Sequence, residues 1–355
     1  LVTVIDRSEL LHEFVERLDA APWLCLDTEA DSLHAYPEKL CLVQITIPPD
    51  YDELIDPLAD LNMSPLWDAL ENRELIMHGS DYDLRLFRKW HHFVPSKVFD
   101  TMIAARLLGE PQFGLHALVK KFLGVELDKA SQKADWGQRP LTERMIDYAK
   151  NDTRHLKALS DLLRARLEEL GRTSWQEESC AKLIADCSAM PAPDPDIWRV
   201  KGSHLLSRRA MAVLKAVFEW RELQALAANR PPFFILSPET MCGIAELSAN
   251  GQDWERLLSK RFHPTRAHTL KLTVAAALQL PPETWPEVLR HRSRRQTEAE
   301  KRRAREIEDH RNKIATDLGI DPTLIASRFT LNRLAEDWDA HSGELMNWQR
   351  QLLQR

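Results

Sequence analysis

Apolar and polar positions follow two rhythms along this chain: a period of two in short stretches near the start, and a helical period over most of the rest. Residues 3 to 19 read as a short strand followed by an amphipathic helix, with Ser8 as its N-cap and Leu10, Leu11, Phe14, Val15 and Leu18 as its apolar side. Trp23 to Glu29, bounded upstream by Pro22, is a strand whose side chains alternate. Leu24, Leu26 and Thr28 share one face, and Cys25, Asp27 and Glu29 the other. Leu40 to Ile47 is a second strand, and Tyr51 to Ile55 a third, closed by Asp56-Pro57. Turn signals between the three predict an antiparallel meander.

Farther on, Ser64 to Leu70 is helical, and Leu75 to His78 is a short buried strand that stops at Gly79-Ser80-Asp81, where another helix begins. That helix carries Asp83 at the head of a stripe continued by Phe87 and Trp90. Val98 to Thr101 leads into a helix from Met102 to Leu108, and Leu115 to Leu123 forms another, ended by Gly124. Residues 127 to 140 have no clear period and are expected to be an ordered loop. A single long helix is expected from Thr142, its cap, to Gly171, its end. Met145, Tyr148, Ala149, Asp152, Leu156, Leu159 and Leu163 form its core-facing stripe. Asp152 stands where an aliphatic residue belongs, and Tyr148 lies one turn before it on the same face.

A Pro-rich break at residues 190 to 203 is the best candidate for a domain boundary. Beyond it the pattern is helical, near 205 to 228, 238 to 247, 253 to 260 and 264 to 279, with Arg230 to Leu236 as an extended apolar segment across the bundle. After Pro281-Pro282 a charged helix is expected from Arg290 to Leu318. Its basic run, Arg290 to Arg295, is either a phosphate contact or a solvated helix face. No repeat of short fixed period is visible.

Composition narrows the class. The chain's 355 residues suffice for two or three domains, and 44% hydrophobic with 29% charged residues describes a globular protein without a membrane-length apolar run. The first residues have neither the basic start nor the apolar core of a signal peptide. Five cysteines without CxxC spacing indicate neither a disulfide framework nor structural zinc, and point to a reducing compartment. The net charge of −6 is unevenly spread: residues 1 to 170 carry −10 and the remainder +4. An acidic first half that handled nucleic acid would need metal ions or a basic partner domain to offset phosphate repulsion.

The candidate chemistry follows from the acids. Asp27 and Glu29 sit two residues apart on an otherwise apolar strand. If the strand has already ended there, they are simply solvated. If they are buried, they need a raised pKa, a basic partner or a bound cation. Asp83 and Asp152 add two more acids on faces that should point inward, and Asp152 could instead be a buried acid bonded to a neighbouring helix end. Oxygen ligands of this type suit Mg²⁺ or Mn²⁺ better than zinc. Four carboxylates can hold two such ions roughly 3.5 to 4 Å apart, an arrangement that activates water and stabilises the leaving oxygen of a phosphodiester.

Three segments carry a family resemblance: Leu-Asp-Thr-Glu at 26 to 29, His-Gly-Ser-Asp-Tyr-Asp-Leu at 78 to 84, and Tyr-Ala-Lys-Asn-Asp-Thr at 148 to 153. They resemble the three exonuclease motifs of the DEDD superfamily, in the branch with Tyr in the third motif. Leu-Asp-Lys-Ala-Ser-Gln-Lys-Ala-Asp-Trp at 127 to 136 and Arg-Pro-Leu-Thr-Glu-Arg at 139 to 144 resemble ribonuclease D in particular. Residues around 204 to 280 look like the helicase and RNase D C-terminal (HRDC) domain, and residues 318 to 328 like part of a second one.

The resemblance implies an α/β ribonuclease H-like exonuclease domain, a mixed sheet flanked by helices, over residues 1 to 190. Two small all-α HRDC-type domains would follow over 204 to 280 and 285 to 355. It implies Asp27, Glu29, Asp83 and Asp152 as ligands of two divalent ions, Mg²⁺ or Mn²⁺. Asp81 competes for the second-motif role, but Asp83 is the one followed by Leu84, Leu86 and Phe87 as the family pattern requires. Tyr148 would orient the attacking water, and His78, Gln44, Lys133 and Trp136 are candidate substrate contacts. The implied function is a 3′-to-5′ exoribonuclease, a cytoplasmic monomer without membrane association. It would trim structured RNA precursors such as tRNA, with single-stranded 3′ ends, to 5′-mononucleotides. A DNA exonuclease of repair or proofreading type, or an inactive nucleic-acid-binding scaffold, are the alternatives.

Overall fold

The computed structural model describes residues 4–49, 51–128, 131–189, 194–288 and 296–354. Thr3, Lys129, Ala130, residues 190 to 193 of the Pro-rich break, and the basic run Arg290 to Arg295 lie outside the described residues.

Six strands form one mixed sheet: β1 (Val4–Ile5), β2 (Leu24–Ala30), β3 (Leu40–Ile47), β4 (Tyr51–Ile55), β5 (Glu74–Met77) and β6 (Lys97–Asp100), in the order β1-β4-β3-β2-β5-β6. The meander expected from the turn signals is present, since β2–β3 and β3–β4 are antiparallel. β5 lies parallel to β2 on its other edge, and β6 continues the parallel half. β2 is therefore interior, hydrogen-bonded on both sides, and Asp27 stands opposite Gln44 of β3. The ladder shifts register between Glu29 and Ala30, where pairing with β3 becomes irregular.

Eight helices flank or follow the strands: α1 (Ser8–Ala20), α2 (Ser64–Glu71), α3 (Asp81–His91), α4 (Thr101–Leu107), α5 (Leu115–Leu123), α6 (Glu143–Arg154), α7 (Leu156–Glu169) and α8 (Thr173–Ser188). Several expectations are corrected. Ser8 is the first helical residue of α1, and the N-cap is Arg7, without a side-chain bond. Trp90 is 40% exposed, because α3 turns its Asp83-Leu84-Phe87 side to the core and ends soon after at a left-handed His92. The long helix from Thr142 is two helices, parted at His155, although its whole apolar stripe is buried as expected. No apolar stripe in the sequence marks α8, because its buried residues are Gln176 and two cysteines.

The remaining helices are α9 (Arg208–Ala228), α10 (Pro232–Ile235), α11 (Pro238–Ala249), α12 (Pro264–Leu278), α13 (Glu298–Leu318), α14 (Pro322–Ile325), α15 (Arg328–Glu336), α16 (Trp338–His341) and α17 (Asn347–Leu353). Arg230 to Leu236, expected to be extended, winds into α10 with Phe233 and Phe234 about half exposed. The helix expected at 253 to 260 is only a 3₁₀ turn, Glu255–Leu257. The described part of the charged helix begins at a Thr297–Glu300 capping box, within the stretch expected to be helical from Arg290.

The chain divides into two compact units. One comprises the described residues of Leu1–Ala30, Leu40–Met190 and Arg294–Arg355. Within it α13 to α17 share an apolar cluster with α4 and α7, Ala315, Ile320, Ile325 and Trp348 packing with Leu107, Leu163 and Leu167. Buried Arg172 donates to the last carbonyls of two helices, Leu107 of α4 at 2.6 Å and Leu318 of α13 at 2.7 Å.

The other unit comprises the described residues of Asp31–Lys39 and Pro191–Ser293, with α9 at its centre against α11 and α12. Asp31 closes the neck of its short segment by accepting from Lys39 N at 2.6 Å, and the Tyr36 hydroxyl donates to Glu222 of α9.

α9–α10–α11 and α13–α14–α15 share one plan at an offset of 90 residues. Each starts with a 21-residue helix ending at a left-handed residue, Asn229 or Gly319. A four-residue helix follows, then a serine cap, Ser237 to Thr240 N or Ser327 to Thr330 N. Arg221 and Arg311 are buried at matching positions.

Candidate active site

Three elements bring four acids and a tyrosine together. β2 supplies Asp27 and Glu29, both half-buried at the end of a strand whose earlier residues are fully buried. Asp83 lies in the first turn of α3, and Asp152 and Tyr148 lie one turn apart on α6, all three buried. Asp81, the competitor of Asp83, is exposed and held by Arg85 at 2.9 Å.

The local scaffolding explains these placements. Asp100, buried at the end of β6, caps α4 by accepting from Met102 N at 2.8 Å and Ile103 N at 3.2 Å. It also accepts from Gly79 N at 3.1 Å and Ser80 N at 2.8 Å. One carboxylate thus fixes the turn from β5 into α3 and sets the direction from which Asp83 enters. Gly79 adopts a left-handed φ of 66° in that turn, a conformation that favours glycine. Sequence reasoning missed Asp100; the signal was an Asp directly between a short apolar strand and a helix start.

α6 is tied to the sheet beside Asp152. Thr153 bonds Thr46 of β3 at 2.7 Å, Thr46 donates to Asp52 of β4 at 2.8 Å, and Asp52 accepts from Arg154 Nε at 2.7 Å. Thr142 caps the helix by accepting from Met145 N, as its sequence position suggested.

The electrostatics are those of crowded, dehydrated carboxylates. Burial pushes Asp83 and Asp152 up to about 7. Burial, with repulsion from Asp152 and Asp83, raises Glu29 to about 9. Asp27 is raised well above its ordinary value by burial and then by Asp83, Asp152 and Glu29. The Thr28 hydroxyl donates to Asp83, and the Tyr148 hydroxyl to Asp152, each lowering the carboxylate it touches. None of the four acids is paired with a Lys, Arg or His among the described residues. Nor do any three His, Cys, Asp or Glu side chains among those residues already converge as a group that could hold a metal.

The donor set nonetheless fits hard divalent cations, being oxygen-only and uncompensated. Gln44, fully buried and opposite Asp27, leaves both amide atoms without a hydrogen-bond partner. An orphaned amide beside buried acids marks a polar interior short of partners. A cleft of about 370 Å³ opens on the site, lined by Asp27, His78, His116, Gln132, Tyr148 and Asp152 among others. That is within the usual size of a small-molecule pocket.

Residues 2–168 match the family model of 3′-5′ exonucleases. A ribonuclease D of Granulibacter bethesdensis is 30% identical over 98% of this chain and 89% of its own length, and one of Gluconacetobacter diazotrophicus 33% identical over 80% and 74%. The chain belongs to the ribonuclease D family. The crystal structure of Escherichia coli RNase D, described as an exoribonuclease involved in structured RNA processing, superposes over all of this chain and 99% of that one, with a TM-score of 0.75 and 26% identity. As a ribonuclease D, the chain is a 3′-to-5′ exoribonuclease with a mixed sheet, flanking helices and a helix-rich C-terminal region.

Two of the four expected substrate contacts of this ribonuclease D are corrected. Trp136 is 1% exposed and packs against Tyr148, ring centroids 6.0 Å apart, so it backs the tyrosine ring from the core. Gln44 is equally inaccessible, held inside β3. Lys133 is exposed, and His78 lines the cleft. Among the described residues no helix is long and apolar enough to cross a membrane.

Proposed function

We propose that this ribonuclease D trims the 3′ ends of structured RNA precursors, tRNA among them, by two-metal-ion hydrolysis that releases 5′-mononucleotides. The observation that carries the reading is the set of four carboxylates from three elements, all raised by burial, Asp27 and Glu29 also by repulsion from the others, and with no cation paired to them among the described residues. Asp27, Glu29, Asp83 and Asp152 would hold the ions, Mg²⁺ or Mn²⁺. Such ions, when bound, would make a coordinated water more acidic and offer positive charge to the departing oxygen. Tyr148, bonded to Asp152 and braced by Trp136, orients the attacking water through its hydroxyl. Burial keeps that phenol protonated, raising its pKa far above the ordinary value, so it does not act as a base; with its one proton given to Asp152, its oxygen accepts from the water it orients.

On this reading residues 1–190 are the exonuclease domain, and residues 204–280 and 285–355 are HRDC-type modules. The shared plan at an offset of 90 residues supports their kinship. The modules hold the folded body of the RNA while a single-stranded 3′ end enters the cleft. The enzyme acts as a monomer in the cytoplasm, consistent with cysteines that are all free.

The test is to incubate a 3′-extended tRNA and a DNA oligonucleotide of matched length with Mg²⁺ or with chelator. RNA shortening that stops in chelator supports the proposal. Shortening that persists there overturns the two-metal reading, and equal loss of DNA overturns the preference for RNA.

A further inference from the structure

His78 is the one expected substrate contact that both lines the cleft and carries a buried polar atom without a hydrogen-bond partner. Its Nδ1 lies 2.8 Å from the Thr101 hydroxyl, and that hydroxyl donates to the Met77 carbonyl at 3.1 Å. A hydroxyl has one proton to give. With that proton committed to Met77, Nδ1 must carry the ring proton and Nε2 must be the lone-pair nitrogen, a tautomer inferred from this network. Nε2 is buried and unpartnered, while the ring lines the cleft with Asp27, Tyr148 and Asp152. Burial, with some help from His116 and against Asp100, lowers the imidazole to about 4, so it is neutral at physiological pH.

A dehydrated acceptor without a donor is unfavourable unless a ligand supplies one. The ligand of this cleft, on the reading above, is the 3′-terminal nucleotide. An exonuclease that trims varied sequence meets all four bases, and an acceptor aimed at a base would reject those presenting no donor there. Ribose hydroxyls are common to every nucleotide. Met102, Leu115 and Ala117 add apolar groups to the lining of the same cleft.

We infer that His78 is a specificity-determining residue whose Nε2 accepts a hydrogen bond from a hydroxyl of the 3′-terminal ribose. Thr101 is its positioning residue, setting the tautomer. The inference rests on the proposed function, and its test separates the two. Three oligoribonucleotides differing only in the last sugar, ribose, 2′-deoxyribose or 3′-deoxyribose, are compared by kcat/KM with the native enzyme, His78→Phe and His78→Gln.

The native enzyme should disfavour one of the two deoxy substrates by about tenfold, the worth of one hydrogen bond. His78→Phe keeps the ring volume without an acceptor and should reduce that preference to about threefold or less; His78→Gln, which retains an amide oxygen, should keep part of it. Equal rates of the native enzyme on all three substrates overturn the inference without recourse to any folded variant. So does a His78→Phe enzyme that slows on all three alike with the ratio intact. An enzyme that fails to shorten the ribose-ended substrate in Mg²⁺ instead removes the proposed function itself.

Discussion

Asp27, Glu29, Asp83 and Asp152 repel one another in a site with little water, and their protonation should be visible in stability. Asp83 and Asp152 sit at about 7 and Glu29 at about 9, above ordinary values of 3.8 and 4.5. Groups raised in this way bind more protons in the folded than in the unfolded chain. Their contribution is present in full below the ordinary values and is lost as the pH rises through about 7 and then about 9. Metal-free protein should therefore lose thermal stability between about pH 6 and 9, while stabilisation by millimolar Mn²⁺ grows over that window because the ions displace protons. Melting curves with and without chelator read both trends, and a Mn²⁺ effect that falls with pH contradicts the ligand set.

Asp152→Asn should lower kcat by about three orders of magnitude while raising the melting temperature of the metal-free protein by about 2 °C or more, since one repelling charge is gone. Tyr148→Phe should slow hydrolysis roughly a hundredfold with little change in RNA affinity, read by single-turnover kinetics and a binding isotherm. The sequence exposed Asp27, Glu29 and Asp152 because each breaks a pattern: two acids on an apolar strand, one acid in a helical stripe. It misdirected at Trp136 and Gln44 because a polar tip in a motif reads as a contact, whereas the register of β3 and the packing against Tyr148 turn both inward.

At the level of elements, the sheet was legible wherever period-two alternation met turn residues; Leu40–Ile47 and Tyr51–Ile55 have the bounds expected of them. The kink at His155 was hidden because the apolar spacing runs unbroken across it, so only backbone hydrogen bonds mark the joint. α8 was hidden for the opposite reason, its buried side carrying glutamine and cysteine. Asp100 joins two elements with one carboxylate, accepting from the backbone of the turn into α3 and from the first turn of α4. Asp100→Ala should destabilise the fold by about 3 kcal/mol or more by stranding buried N–H groups, and Asp100→Asn should recover part of it. Chemical denaturation measures both, and an Ala variant as stable as the native chain contradicts this role.

Across the whole molecule, the last helices are bound into the exonuclease unit by an apolar cluster and by Arg172, which holds the ends of α4 and α13. The sequence could not show this, because the bond from Arg172 to Leu318 spans 146 positions and ends on a backbone carbonyl that carries no side-chain signature. Close approach is also required at Gly109, whose φ is 79° and where a Cβ would overlap the Gly319 carbonyl oxygen. Arg172→Met should destabilise by about 3 kcal/mol and expose α13 to limited proteolysis; digestion no faster than in the native chain contradicts the staple.

The most direct measurement is a crystal soaked with Mn²⁺ and a mononucleotide, read by anomalous scattering. Two peaks bounded by Asp27, Glu29, Asp83 and Asp152, both diminished by Asp152→Asn, are the predicted result. Peaks elsewhere, or none at a Mn²⁺ concentration that supports RNA cleavage, would contradict the account.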